Sequence, residues 1–175
     1  MNSQEYRELI SNPRYWDVCG TRLLDAAFVL WDRIEPRLSE KDSKDEIEDW
    51  AWPTIHMIGP YYLLVGLAIE NRLKAVWVGR KWPDISDVPD DLSDLKEFDG
   101  HKLKRLAESV PIETTDAQAS LLDHLGDMVL WQGRYPAPKK LSGDRPFVVD
   151  SASCEVIWEL IELIDTHYYA LWPKR

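Results

Sequence analysis

Residues 60–79, PYYLLVGLAIENRLKAVWVG, decide the fold: they form a long apolar segment with a charged pair, Glu70 and Lys74, set into its middle. At about 3.6 residues per turn the two charges stand one turn apart, and Leu63, Gly66, Leu67, Leu73 and Trp77 fall on the same side of the helix as Glu70. A surface helix would carry such a pair on its wet face, where it stabilises by about 0.3–0.5 kcal/mol. Here the pair lies in the apolar stripe and is expected to be partly buried. A carboxylate buried without partners is strongly destabilising, so Glu70 needs Lys74 and a further donor from another helix. The pair reads either as a structural ion pair joining helices or as part of a ligand site.

Upstream of this segment the pattern is helical. Residues 2–10 suit a short helix ending at Ser11-Asn12-Pro13, where proline opens the next one. From Arg14 to Ile34, Trp16, Leu23, Ala27, Leu30, Trp31 and Ile34 recur at helical spacing, with Asp25 and Arg33 on the other side, and Pro36 is expected to stop the helix. The eight acids between Asp32 and Asp49 read as a solvated face, and residues 40–49 as a loop or an exposed turn. Gly59-Pro60 is expected to open the central helix.

Downstream, residues 81–99 read as a long acidic loop punctuated by Pro83 and Pro89, with one turn of helix at residues 91–97. Gly100 to Leu106 opens a short helix, with Leu103 and Leu106 turned inward, that ends by Pro111. Thr115 and Gln118 have capping-box spacing and start a helix with Leu121, Leu122, Leu125, Met128 and Val129 on one face. Gly133 is placed to cap its end, and the prolines of residues 134–140 make a stiff loop with a basic edge. Asp150 is placed to cap a last helix with the stripe Ile157, Leu160, Ile161, Ile164, Tyr168 and Leu171. Val148-Val149 is too short to support a sheet. The expected fold is therefore all-α: a single domain over residues 1–175, a bundle of five or six mostly antiparallel helices.

Composition supports a globular chain. It has 175 residues, 45% of them hydrophobic, with nine Trp and seven Tyr. Two cysteines, Cys19 and Cys154, without a CxxC, suit free thiols and a reducing compartment. The start MNSQEYRELISNPRYW has no signal-peptide pattern, and the apolar run Tyr61 to Ile69 is too short to cross a bilayer, so a cytoplasmic location without membrane contact is expected. Net charge is -10, with seven acids against Lys96 alone in residues 83–99. That disfavours bulk DNA binding while leaving room for a local basic groove.

Two local patterns, AIENRLKA at 68–75 and GHKLKRL at 100–106, followed by a long helix that ends in a polar loop, resemble the HEPN superfamily of small α-helical bundle proteins. The resemblance implies a helical bundle that dimerises, in the context of bacterial defence or toxin–antitoxin modules, where many members are metal-independent ribonucleases. The ribonuclease signature is an Arg followed four to six residues later by a His. None of His56, His101, His124 and His167 has an Arg at that distance before it. Arg134 stands at the corresponding place without its His. What the resemblance then implies is the fold, self-association and binding of a nucleotide, RNA or protein partner. The alternative is a metal-independent ribonuclease with a non-standard site using Arg134 and His101.

The candidate ligand-binding residues are Glu70, Asn71, Lys74, His101, Gln132, Arg134 and Tyr135. His101 opens a helix beside Lys102, Lys104 and Arg105, so backbone N–H groups and side chains together could hold a phosphate or carboxylate. Arg134 and Tyr135, with Lys139, Lys140 and Arg145 following, form the best anion-facing group, because guanidinium pairs bidentately with phosphate. Gln132 falls on the apolar face of its helix, where a buried amide needs partners that Glu70 or Asn71 could supply. No cofactor is indicated: the glycines are dispersed, His-rich metal spacings are missing, and neither cysteine sits in a basic neighbourhood.

Overall fold

The central apolar segment becomes α3, Trp52–Lys81. Val65, Ala68, Trp77 and Val78 face different directions around it, yet all are buried. A helix that is apolar on nearly every side has no wet face to offer, so its neighbours must enclose it. The computed structural model describes residues 3–39, 52–89, 101–132 and 151–171. In chain order they form α1 (Ser3–Ile10), α2 (Pro13–Ser39), α3, a 3-10 turn (Ile85–Asp87), α4 (Leu103–Glu108), α5 (Asp116–Asp127), a π-helical turn (Met128–Gln132) and α6 (Ser151–Tyr169). Every regular element among the described residues is helical. Helices α2, α4, α5 and α6 and the π turn all pack on α3, and α1 packs on α2.

α2 runs antiparallel to α3: Trp16 lies by Lys74, Gly20 by Ala68 and Trp31 by Tyr61. The approach is closest at Gly20, where a Cβ would stand 3.1 Å from the Ala68 carbonyl oxygen and 2.9 Å from Arg72 Cγ. α6 instead runs in the same direction as α3. Cys154 lies beside Tyr61, Asp165 pairs with Arg72, and Leu171 meets Gly79. The pair α2–α3 is therefore antiparallel, as expected for most of the bundle, while α3–α6 is parallel and α2–α6 antiparallel. Burial, with Cys154 and Tyr62 beside it, pushes the Tyr61 phenol far above its ordinary range, so it serves as a neutral hydrogen-bonding group.

Several boundaries differ from the sequence expectation. Pro36 does not stop α2, which continues to Ser39. Pro36 lacks the N–H that would donate to the Asp32 carbonyl, a loss of one bond in the last turns of the helix, with only three helical residues after it. α3 begins at Trp52, and Pro60 sits inside it. An internal proline costs a helix about 3 kcal/mol in isolation. Burial of Tyr61 and Tyr62 just beyond it, with Met57 and Ile58 packed on the core just before it, offsets that cost. The acidic connection after α3 is anchored: Trp82 and Val88 are buried, and Arg7 Nη2 donates to the Val88 carbonyl at 2.6 Å. The capping box forms as read, with Thr115 Oγ1 accepting from the Gln118 N–H and Gln118 Oε1 accepting from the Thr115 N–H. The expected turn at 91–97, the caps Asp150 and Gly133, and residues 40–49 and 134–140 lie outside the described residues. None of the described helices is long and apolar enough to cross a membrane.

Two glycines of α3 make different predictions. At Gly66 a Cβ would stand 2.7 Å from Val129 Cγ2 and 3.1 Å from the Leu125 carbonyl oxygen, whereas at Gly59 nothing apart from its chain neighbours lies within 4 Å. Gly66→Ala is expected to destabilise by about 1–3 kcal/mol through overpacking. Gly59→Ala is expected to change stability by under about 1 kcal/mol, because the helix preference of alanine is opposed by the restriction that Pro60 places on the residue before it. Urea midpoints at constant m-value measure both, and equal effects would refute the α3–α5 contact.

Candidate functional site

Glu70 is 3% exposed, and both of its carboxylate oxygens are engaged. Oε1 accepts from Lys74 Nζ at 2.5 Å, one turn along α3. Oε2 stands 2.7 Å from His101 Nδ1, on the segment just before α4. The second donor that the buried carboxylate required is thus His101. Lys74 in turn lies over the Trp16 ring, 5.1 Å from its centroid, and the Trp16 indole N–H donates to the Ile10 carbonyl at 2.8 Å. One network joins the end of α1, the start of α2, the middle of α3 and the entry to α4.

His101 holds a left-handed backbone conformation, φ 52°. Histidine tolerates that region better than most residues, and its use here turns the ring toward α3. Gly126 of α5 makes room for the same segment: a Cβ there would stand 3.0 Å from the His101 carbonyl oxygen. Glu70 already accepts from an ammonium and offers His101 only acceptor oxygens, so Nδ1 is the donor and Nε2 the nitrogen left for other work. The His101 side chain is 35% exposed. It lines a recess of about 240 Å³ between α4 and α5, together with Lys102, Lys104, Arg105, Asp123 and Asp127.

The recess carries both signs of charge. Lys104 and Asp123 are 3.4 Å apart and both exposed, a pair that contributes about 0–1 kcal/mol. α4 has only six residues, and the Leu103 N–H turns back to the His101 carbonyl at 3.1 Å. The expected contribution of backbone N–H groups to anion binding is therefore not available from Leu103, and side chains must supply it. Asn71 Nδ2 donates to the Leu67 carbonyl at 2.6 Å, within its own helix. Gln132 ends the π turn, while its side chain, and Arg134 and Tyr135 altogether, lie outside the described residues. No three His, Cys, Asp or Glu side chains among the described residues converge as a metal site requires.

Sequence reading passed over Trp16, Gly126 and Arg72. Arg72 is 9% exposed and joins three helices, pairing with Asp165 of α6 and donating to Thr21 Oγ1 of α2 at 3.2 Å. A second buried charge two residues from Glu70 was the available signal, but a charge facing an unknown neighbour does not name it. His124 turns away from the recess toward Tyr62, their rings edge to face at 6.3 Å. Burial pushes its pKa down to about 4.

Two measurements follow from these geometries. Lys74→Met leaves the buried Glu70 Oε1 without its donor, with His101 alone on Oε2, and is expected to cost about 3–5 kcal/mol, whereas Glu70→Leu/Lys74→Met should lie much closer to wild type. A loss under about 1 kcal/mol in the single variant would mean that the pair is solvated. For His124 the unfolded chain takes up a proton at the ordinary pKa of 6.5 and the folded chain only near 4, so stability is full above about pH 6.5 and declines as pH falls toward 4. The decline attributable to this half-buried ring is about 1–2 kcal/mol after solvent screening. His124→Asn is expected to flatten the stability profile over that interval, and an unchanged slope would assign it to other groups.

The sequence matches no protein-family model, and neither the curated proteins nor the solved structures provide a match at the level of significance required.

Proposed function

We propose that this chain is a HEPN-like helical protein that acts by self-association and by binding, and that its His101 recess takes a single anionic group, the phosphate of a nucleotide or of an RNA end. The observation that carries this reading is the half-exposed His101 ring, held by the buried Glu70 carboxylate at 2.7 Å, with Lys102 and Arg105 on the same recess. A fixed imidazole and a guanidinium suit one phosphate or carboxylate. The acids on the recess, Glu108, Asp123 and Asp127, would repel a long polyanion laid across it. The context implied by the resemblance is a bacterial defence or toxin–antitoxin module.

Self-association is assigned to the α1–α2 face. Tyr6, Leu9, Tyr15 and Val18 are exposed there, among Glu5, Glu8, Arg14 and Arg22. Apolar groups with charges of both signs can meet a second copy of themselves across a two-fold axis.

A second reading has one observation in its favour. A carboxylate on Nδ1 orients an imidazole as a general base, so the Glu70–His101 bond suits proton transfer at Nε2, as a metal-independent ribonuclease using His101 and Arg134 would need.

Titration calorimetry with AMP, ATP and a 5′-phosphorylated single-stranded RNA in EDTA tests the proposal. Binding is expected, weakened about tenfold or more by His101→Ala and by Arg105→Ala, without turnover. Cleavage of the RNA that His101→Ala and Arg134→Ala abolish would transfer the protein to the second reading. No binding of any of the three would end the phosphate assignment. Light scattering on the same samples is expected to give twice the chain mass of 20.4 kDa, reduced to one chain by Leu9→Ser/Tyr15→Ser.

A further inference from the structure

Sharing no residue with the recess is the seam between α2 and α6. These helices flank α3 side by side and run antiparallel, with Arg72 reaching Thr21 on one and Asp165 on the other. Seven residues further along α2 and seven back along α6, Phe28 and Trp158 stack with centroids 4.6 Å apart and planes 12° from parallel. Trp158 remains 45% exposed and the adjoining Val29 62%. Phe28 packs partly on the core, so it is the Trp158 ring stacked on it, with the open valine nearby, that the domain leaves uncovered.

The charges that share a helix face with the two rings are acidic, while Arg33 stands one turn beyond Val29. Phe28 has Asp25 three residues before it and Asp32 four after; Trp158 has Glu155 three before and Glu162 four after. At those spacings each pair of acids shares the helix face of its aromatic. All four are exposed, and none has a cation at ion-pair distance among the described residues. A second copy of a chain with net charge -10 would bring these carboxylates against a face like themselves. A nucleic acid would be repelled for the same reason. A partner with an apolar ridge flanked by Lys or Arg would cover Trp158 and neutralise the rim together.

We propose that the Phe28–Trp158 seam is a docking surface for a basic amphipathic helix of a partner protein, whose apolar ridge covers Trp158 while its cations meet Asp25, Asp32, Glu155 and Glu162. Aromatic anchors with a charged rim are the usual composition of an interface centre, and Trp158 is the anchor here.

Fluorescence anisotropy tests this with a labelled amphipathic peptide of about 18 residues, one face Leu and the other Lys, at about 150 mM salt. A Lys/Ser peptide of equal charge and a Glu/Leu helix of equal pattern are the controls. The Lys/Leu helix is expected to bind the intact chain, with affinity reduced about tenfold or more by Trp158→Ala. Asp25→Asn/Glu162→Gln is expected to weaken it by a smaller factor, and Glu113→Gln/Asp116→Asn, which removes equal charge elsewhere, to leave it unchanged. Circular dichroism verifies that each variant is folded. Equal binding of the Lys/Ser peptide, or equal weakening by the Glu113/Asp116 variant, would reduce the effect to general attraction by an acidic protein and overturn the proposal. So would a dimer in light scattering that Trp158→Ala dissolves, because the occupant would then be a second copy.

Discussion

A carboxylate at 3% exposure in the middle of the most apolar helix cannot stand alone, and the way Glu70 is satisfied organises the molecule around it. One oxygen is answered from within α3 by Lys74, the other from outside by His101. Each donor carries a further constraint. Lys74 lies on Trp16 and so ties the start of α2 to α3; His101 must adopt a left-handed backbone and approach α5 at Gly126. The same interaction that makes burial of Glu70 tolerable therefore places the one half-exposed histidine of the network at the edge of a recess.

Arg72 repeats the device two residues along. It is buried on α3, pairs with Asp165 on α6 and reaches Thr21 on α2, so the orientation of three helices is fixed by one guanidinium. Buried ion pairs of this kind contribute little net stability against an apolar alternative of the same shape. Their effect is selective: an arrangement that slid α2 or α6 by one turn would leave a charge unanswered. Close approach of backbones at Gly20 and Gly66 works in the same direction, since a turn's displacement would bring a side chain where only a hydrogen fits.

Charge also separates the two surfaces on which the functional proposals rest. The recess mixes Lys102, Lys104 and Arg105 with Glu108, Asp123 and Asp127, so its field is local and suited to one small anionic group. The Phe28–Trp158 seam has an exposed Trp158 stacked on Phe28, with Asp25, Asp32, Glu155 and Glu162 on the faces of the two rings. In an acidic protein the first is a place where negative charge is tolerated and the second a place where it is concentrated. The two proposals accordingly assign ligands of opposite sign to the two faces.

The sequence by itself determined the helical class, the central apolar helix, the burial of Glu70 with Lys74, the capping box at Thr115 and the inward faces of α5 and α6, because each follows from spacing along one helix. It also determined that Glu70 must have a donor beyond Lys74, since electrostatics demands one. Which donor was a tertiary matter: His101 is 31 residues away and Gln132 was equally compatible with the pattern. Pro36 and Pro60 were read as boundaries because local propensity disfavours proline in a helix, and burial of the flanking side chains overrode that preference at Pro60. The parallel run of α6, the three-helix grip of Arg72 and the pairing of Phe28 with Trp158 had no signature in one dimension. Each is a contact between helices whose relative direction and register are set only when their apolar faces close on α3.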